Sequence, residues 1–426
     1  MTRFDRWGLA SAAPSGDAAA HFDDAVLDLC LMAGQPSSIL ADLVETESGW
    51  TMPHIAFAYL DLYAQTVEGN RSAAGRLDEI DRSGVDWTAR ERAHAEAARQ
   101  WHDGRIVGAL ETLARWLDGA PRDLLALRIS QDLAFFTGDR TALLAVPAGA
   151  LEAWSSSEAG RGIVAGMVAF GLEEQGHYAQ AEDRAHEALA DNPSDPWAVH
   201  AFAHVLEMQG RSDEGADFLR TSAPQWSPSF FASHNWWHLA LFRIERDDFA
   251  GALDLLRGPI DAMTPTIWFE VVNQVSLRWR LGLLGIDIAL GPTLVDVLVE
   301  RADEHLSVFN DLHAVLGLAL AGESEAMERV IAGYGPESAR PEAGALLRGF
   351  ADFAAGRYGD AARHLTRAHA MTPSIGGSNA QRDLVDQTLL VATVRSGGPA
   401  ARVAELVATH PTRWSAGATE RMITAS

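Results

Sequence analysis

The sequence predicts an all-α protein built as a solenoid of stacked helical hairpins. Along its 426 residues, apolar side chains recur at spacings of three and four, which is the period of an amphipathic helix. Glycine, proline, aspartate and serine mark the breaks between these segments. No run alternates apolar and polar residues with a period of two, so we expect no strands.

A repeat of about 34 residues refines this prediction. The clearest unit covers residues 162–193, and residues typical of a tetratricopeptide repeat stand at the expected spacings: Gly176, Tyr178, Ala181, Ala188 and Pro193. Gly210 lies one period after Gly176, which starts the next repeat at Pro196 with Asp195 as its N-cap. Units of this kind stack on their neighbours, so we predict a tetratricopeptide-like solenoid with a right-handed superhelix.

The helices follow in order from this pattern. Four precede a break at SGVDW (83–87), where Asp86 is a predicted N-cap: 16–33, 36–47, 52–66 and 71–83. A first tetratricopeptide unit at 88–121 and helices at 122–137 and 139–153 lead to the clear repeat. Further helices are predicted at 265–285, 292–306, 309–321, 323–334, 341–355, 358–371, 379–396 and 398–409, and Trp414 lies in a short tail. We expect residues 1–87 to pack on one continuous solenoid of residues 88–426.

Composition limits the classes of function. The formal net charge is −24 and all 34 basic residues are arginine, so we expect no nucleic-acid partner and no anionic membrane surface. The absence of lysine excludes a Schiff-base lysine and a P-loop lysine. A single cysteine, Cys30, excludes an intrachain disulfide. With no apolar signal region and no apolar run of about 18 residues, we expect a cytoplasmic protein.

A histidine-rich stretch between residues 196 and 242 organises the predicted site. His200 and His204 are four apart and Glu207 follows three later, so one helix face carries all three. His234 and His238 repeat the histidine pair one 34-residue period later. This face of the helix lines the concave groove in the tetratricopeptide architecture. We therefore expect neighbouring hairpins to direct these imidazoles into one hollow.

The first hypothesis is an enzyme with a small-molecule pocket in that groove. Imidazole beside carboxylate is suited to general acid–base chemistry near neutral pH, and hydrolysis, elimination and isomerisation all fit. The predicted catalytic residues are His204, His238, Glu207 and His313. The predicted substrate-binding residues are His200, His234, Trp236, Trp237, Asp311, Arg382, His54 and Asp132.

Three alternatives stay open. A divalent, zinc-like metal ion would be held by His200, His204, Glu207 and His238, with nitrogen and oxygen ligands only. A non-catalytic scaffold would bind a peptide or protein partner along an open groove. Histidines packed in the interior would have a purely structural role, although two repeats would then each bury the same costly group.

Several segments together resemble the family of tetratricopeptide repeat protein 38. The residues that carry the resemblance are VHAFAHVLEMQG (199–210), SHNWWHLALFRIE (233–245), FNDLHAVLGLA (309–319) and GGSNAQRD (376–383). The resemblance extends over nearly the whole chain and implies an all-helical repeat fold without implying an activity. Gln131 stands where the family pattern suggests histidine, and Asn273 where it suggests aspartate.

Overall fold

The chain is all-α, as predicted. The computed structural model describes residues 3–82, 86–155, 158, 160–338, 340–409 and 414–424, and 23 α-helices lie within them. The expectation of no strands is wrong at one place, because Arg3–Phe4 (β1) pairs antiparallel with Ala10–Ser11 (β2). The carboxylate of Asp5 accepts hydrogen bonds from the backbone of Trp7 and Leu9, which turns the chain back on itself.

The helices group into two compact units. The first contains residues 1–205 and 222–232, and the second contains residues 206–221 and 233–426. The predicted division at residue 87 stays a prediction. Within the described residues, no helix has the length and apolar character needed to cross a membrane.

Ten helices of the first unit precede the histidine-rich stretch. They are α1 (Gly16–Cys30), α2 (Pro36–Thr46), α3 (Thr51–Tyr63), α4 (Val67–Arg82), α5 (Ala89–His102), α6 (Ile106–Gly119), α7 (Leu124–Thr137), α8 (Arg140–Leu151), α9 (Arg161–Glu174) and α10 (Tyr178–Asp191). Consecutive helices pack as pairs, most extensively α9 with α10, α3 with α4 and α5 with α6. Of these pairs, α5 with α6 and α9 with α10 are hairpins that the predicted repeat units contain.

Local sequence signals fix several of these helix starts. Thr88 caps α5 through a capping box with Glu91, so the predicted N-cap Asp86 is wrong by two residues. The side chain of Thr88 accepts from the backbone of Glu91, which satisfies a donor that the helix itself leaves unpaired. Residues 83–85 of the predicted break lie outside the described part of the chain.

A buried ion network joins the N-terminal residues to the repeats of the first unit. Arg90 donates to Asp123 through Nε at 2.8 Å and to Asp5 through Nη1 at 2.8 Å. His94 and Trp116 also approach the Asp123 carboxylate, at 3.2 and 2.9 Å. Asp123 is at the same time the N-cap of α7. The carboxylate of Asp123 therefore connects α5, α6 and α7.

Three helices lie in the stretch where the two units divide the chain, and ten follow them. The three are α11 (Pro196–Met208), α12 (Ser212–Trp226) and α13 (Ala232–Glu245). The ten are α14 (Phe249–Leu255), α15 (Trp268–Leu283), α16 (Pro292–Glu300), α17 (Val308–Ala321), α18 (Ser324–Ala332), α19 (Pro341–Ala354), α20 (Tyr358–Ala368), α21 (Asn379–Arg395), α22 (Ala400–Thr409) and α23 (Ala416–Thr424). A π-helical turn (Leu256–Ile260) and a 3-10 helix (His369–Ile375) extend α14 and α20.

The main core of the second unit lies between α15, α17, α19 and α21. Val271, Leu312, Leu346, Phe350 and Leu389 are all buried there. The sequence placed Trp414 in a tail, whereas the residues after it form α23, whose Met422 packs into this core. The predicted helix 292–306 ends early at Glu300, where the chain turns before Ser307 caps α17.

Candidate functional site

The helix that carries the first histidine pair begins where the sequence predicts. Asp195 accepts backbone hydrogen bonds from Trp197 at 2.9 Å and Ala198 at 3.1 Å, which makes it the cap of α11. His200 and His204 are both buried, and their ring centroids lie 4.4 Å apart. The i, i+4 prediction for this pair is therefore confirmed within the first unit.

Aromatic rings surround His200 in the first unit. The ring centroids of Trp197, Phe231 and Phe170 lie 4.9, 5.1 and 5.3 Å from that of His200. The guanidinium of Arg128 stacks on the ring of Trp197, and its Cζ atom lies 4.2 Å from the ring centroid.

His204 faces a carboxylate from the preceding repeat. Its Nδ1 atom lies 3.3 Å from Oε2 of Glu173, and both side chains are fully buried. One oxygen of Glu173, one oxygen of Glu174 and one ring nitrogen of His204 all lie within 4.8 Å of one another. Among the described residues of the first unit, these three bring together donor atoms that could hold a metal ion.

The same contact recurs one repeat later, within the second unit. Nδ1 of His238 lies 2.8 Å from Oε2 of Glu207, and His238 is fully buried. Glu173 and Glu207, like His204 and His238, are 34 residues apart. Each period thus places a glutamate of one hairpin against a histidine of the next hairpin.

The second histidine pair is fixed by its neighbours. His234 shares a 2.8 Å hydrogen bond between Nδ1 and Oδ1 of Asn273, whose amide donates to Ser233 at 3.2 Å. Its ring stacks on Trp237 with centroids 5.1 Å apart. Since an amide oxygen only accepts, Asn273 fixes the proton of His234 on Nδ1.

A water-sized cavity lies beside Glu207 in the second unit. Its volume is about 30 Å³, and its polar lining comes from Glu207, Glu245, Arg280, Asp383 and Gln387. A space of roughly 10–15 Å³ holds one water molecule, so this cavity admits one or two. Trp414, Ala418 and Met422 of the C-terminal segment also line it.

Glu245 is the carboxyl group of the cavity that titrates near neutrality. Burial raises its pKa to about 7, against a hydrogen bond from the backbone of Ser415 that lowers it. That bond is 2.6 Å long and binds the C-terminal segment to Glu245. The charges of Asp383 and Glu207 raise the pKa further. At physiological pH both protonation states of Glu245 are populated.

Arg280 is the cation of the cavity. Its side chain is 3 % exposed, and Nη2 donates to the backbone oxygen of Ala380 at 2.7 Å. Among the described residues, its Nε and Nη1 have no hydrogen-bond partner. Burial lowers its pKa, against the raising effect of Asp383 and Glu207. Trp237 lies under the guanidinium at 5.2 Å.

The remaining predicted residues of the second unit have local partners. His313 binds the backbone oxygen of Phe309 through Nδ1, and burial lowers its pKa to about 4, so it is neutral. Asp311 accepts from Tyr334 at 2.7 Å. Arg382 donates to Gly377 and Asn379 at the start of its own helix. Trp236 packs against the apolar core.

The two outer predicted residues lie elsewhere in the first unit. His54 is buried and lines a separate cavity of about 280 Å³ with Thr51 and Glu79, and burial lowers its pKa. Asp132 accepts from Arg128 through Nε at 2.8 Å and from the hydroxyl of Tyr63. Gln131, beside it, donates to the backbone oxygen of Met167.

Sequence reasoning missed five polar residues of these sites: Glu173, Glu174, Glu245, Arg280 and Asp383. The 34-residue period gives Glu173 directly, because it is the counterpart of Glu207 in the preceding repeat. Glu245, Arg280 and Asp383 come from different helices, and no spacing along the chain brings them together. Their convergence depends on tertiary packing.

Comparisons with solved structures found matches of low sequence identity. No family model matches the chain. A tetratricopeptide repeat protein from Parabacteroides merdae is 12% identical over 62% of this chain and 97% of its own, with a TM-score of 0.35. Human IFIT1, solved as a dimer with m7Gppp-AAAA, is 14% identical over 94% of this chain and 95% of its own, with a TM-score of 0.42. A monomeric IFIT1 mutant with Gppp-AAAA is 14% identical over 95% of this chain and 94% of its own, with a TM-score of 0.41.

Proposed function

We propose that the cavity of the second unit is an acid–base site that holds a water molecule, and that this water reacts with a small polar molecule at the opening of the cavity. One observation carries the proposal: Glu245, the histidine-bound carboxylate Glu207 and the buried guanidinium of Arg280 line the same water-sized space. Among the three reaction types that the sequence leaves open, a water-sized cavity favours hydrolysis.

The residues have complementary roles in such a reaction. Ionised Glu245 takes a proton from the water while the water oxygen bonds to a carbonyl carbon of the substrate. The carbonyl oxygen gains negative charge, and the free N–H groups of Arg280 are donors that stabilise it. Protonated Glu245 then returns the proton to the leaving group as its bond to carbon breaks. The products are a carboxylic acid and the protonated leaving group.

The pKa of Glu245 supports this role. A general base works best when its pKa lies near the working pH, and burial raises that of Glu245 to about 7. Nδ1 of His238 lies 2.8 Å from Oε2 of Glu207, and this contact fixes the position of the neighbouring carboxyl group.

Hydrolysis of p-nitrophenyl acetate by the untagged full-length protein tests the proposal. We expect release of p-nitrophenolate above the rate in buffer, and a rate about 10²–10⁴-fold lower in Glu245→Gln. Glu270→Gln is the matched control, because Glu270 is also a buried carboxyl with a pKa raised to about 7 and does not line the cavity. Equal rates in all three proteins, or no hydrolysis by the wild type, would refute the proposal.

A further inference from the structure

We infer that Glu173, Glu174 and His204 bind a divalent transition-metal ion in the first unit. The three residues are 0, 1 and 0 % exposed. This site is separate from the cavity of the second unit, so either proposal stands if the other fails. Of the residues that the sequence predicts as metal ligands, only His204 belongs to it.

The distances fit a shared ion. Zinc binds histidine nitrogen and carboxylate oxygen at about 2.0–2.2 Å, which at bond angles of about 90° to 109° separates two ligand atoms by about 2.8–3.6 Å. Nδ1 of His204 and Oε2 of Glu173 are 3.3 Å apart. The ligand atoms of all three residues lie within 4.8 Å of one another, so a small closure brings Glu174 into the same shell.

The equivalent contact one repeat later shows what is special here. Glu207 and His238 approach to 2.8 Å, which is a direct hydrogen bond. Glu173 and His204 stay at 3.3 Å, longer than that bond. In the later repeat Met208 occupies the place of Glu174. The repeat with the wider separation is therefore the one with a second carboxylate.

The local field also favours a cation. Glu173 and Glu174 are the last two residues of α9, where the aligned peptide dipoles leave partial negative charge. Glu173 and Glu174 are both buried, so their two carboxyl groups lie beside this partial charge. The Arg140 guanidinium donates to the backbone oxygen of Glu174 at this helix end.

The donor set indicates the class of metal. Two carboxylate oxygens and one imidazole nitrogen suit Zn²⁺ and Mn²⁺, whereas Cu⁺ and iron–sulfur clusters prefer thiolate ligands. Three protein ligands leave a coordination position for water, as in catalytic zinc sites.

Isothermal titration calorimetry of the EDTA-treated, untagged full-length protein with Zn²⁺ and with Mn²⁺ tests the inference. We expect about one ion bound per chain, and binding at least tenfold weaker in Glu173→Gln and in Glu174→Gln. Glu270→Gln, a buried carboxyl of the second unit, is the control and should bind as the wild type does. Circular dichroism verifies that each variant folds.

Two results would overturn the inference. One is a wild-type protein that binds neither ion at stoichiometry. The other is wild-type affinity in both folded glutamine variants, which would place the ion elsewhere. If Glu173→Gln does not fold, Glu174→Gln and the wild-type titration decide the outcome together. The ester hydrolysis of the second unit is unaffected by either result.

Discussion

Buried carboxyl groups behave differently according to their partners, and two residues illustrate the range. Burial alone would raise the pKa of Asp123, but the charges of Arg90 and His94 outweigh burial and hold it below its ordinary value. Glu245 has a backbone donor and no arginine within ion-pairing distance among the described residues, so burial dominates. The first carboxylate stabilises the fold, whereas the second is kept ready to exchange a proton.

The raised pKa of Glu245 predicts a pH-dependent stability. Between its ordinary value of 4.5 and about 7 the folded state holds a proton that the unfolded state has lost. The stabilising contribution is therefore complete below pH 4.5 and lost as pH rises through 7. The side chain of Glu245 is not fully buried, so solvent weakens the effect. We expect the difference in free energy of unfolding between pH 5 and pH 8, measured by urea denaturation, to be about 1–2 kcal/mol smaller in Glu245→Gln. An unchanged pH dependence would contradict the assignment.

The Arg90–Asp123 network predicts a large loss from a small change. In Asp123→Asn, the guanidinium of Arg90 keeps Asp5 and loses its other charged partner, although all remain buried. We expect the free energy of unfolding to fall by about 3–5 kcal/mol, measured by urea denaturation at pH 7. The exposed Asp103→Asn is the control, with an expected change within about 0.5 kcal/mol. Similar values for both variants would show that the network contributes little.

At the scale of the elements, glycine permits one close helix contact in the first unit. A Cβ added to Gly171 of α9 would lie 2.7 Å from Cα of Leu144 and 2.8 Å from the backbone oxygen of Leu143. These are backbone atoms of α8, which cannot move without separating the helices. The nearest neighbours of a Cβ on Gly166, in the same helix, lie at 3.6 Å.

This difference predicts opposite effects of one substitution. Gly171→Ala should lower the free energy of unfolding by about 1–3 kcal/mol or more through overpacking. Gly166→Ala should be neutral or should stabilise by up to about 1 kcal/mol, because alanine favours the helix. Urea denaturation of both variants measures the difference. Equal stabilities would mean that α8 and α9 adjust to the added methyl group.

The elements were largely predictable from the sequence, since helix period, caps and the 34-residue repeat are local signals. The hairpins of the clear repeat and the repeat after it were located correctly from three residues: Gly176, Asp195 and Gly210. The strand pair was missed because β1 and β2 are two residues each and depend on the Asp5 turn. Helix α23 was missed because its apolar residues find their partners in a distant core.

The site was predictable only in part, for the same physical reason. The repeat and the helix spacing led to His238 and Glu207 as candidates, whereas the contact between them was not predicted and is found only in the structure. Arg280 and Asp383 stand on α15 and α21, whose packing no local pattern reveals. That the two histidine pairs share one hollow stays a prediction.

At the scale of the whole molecule, the last residues of the chain complete the second unit. Ser415 binds Glu245, Trp414 donates to Asp383 at 3.2 Å, and Arg421 pairs with Asp247 at 2.9 Å. Trp414 and Met422 also line the cavity. The C-terminal segment is therefore part of the site and of the fold.

Removal of residues 410–426 tests this view. We expect a lower unfolding temperature, by about 2–4 °C for each kcal/mol lost, and binding of a hydrophobic dye to the exposed core. Arg421→Gln, which removes the surface ion pair with Asp247 and the stacking of the guanidinium on Phe249, should change the free energy of unfolding by less than about 1 kcal/mol. A truncated protein as stable as the full chain would show that α23 adds nothing.

The most direct test of the acid–base site is the titration of Glu245 itself. Carboxyl ¹³C chemical shifts of the full-length protein from pH 4 to 9, assigned by comparison with Glu245→Gln, report this pKa. We predict a value of about 7, falling toward the ordinary 4.5 when residues 410–426 are removed. A value near 4.5 in the intact chain would contradict a proton-exchanging carboxyl in this cavity.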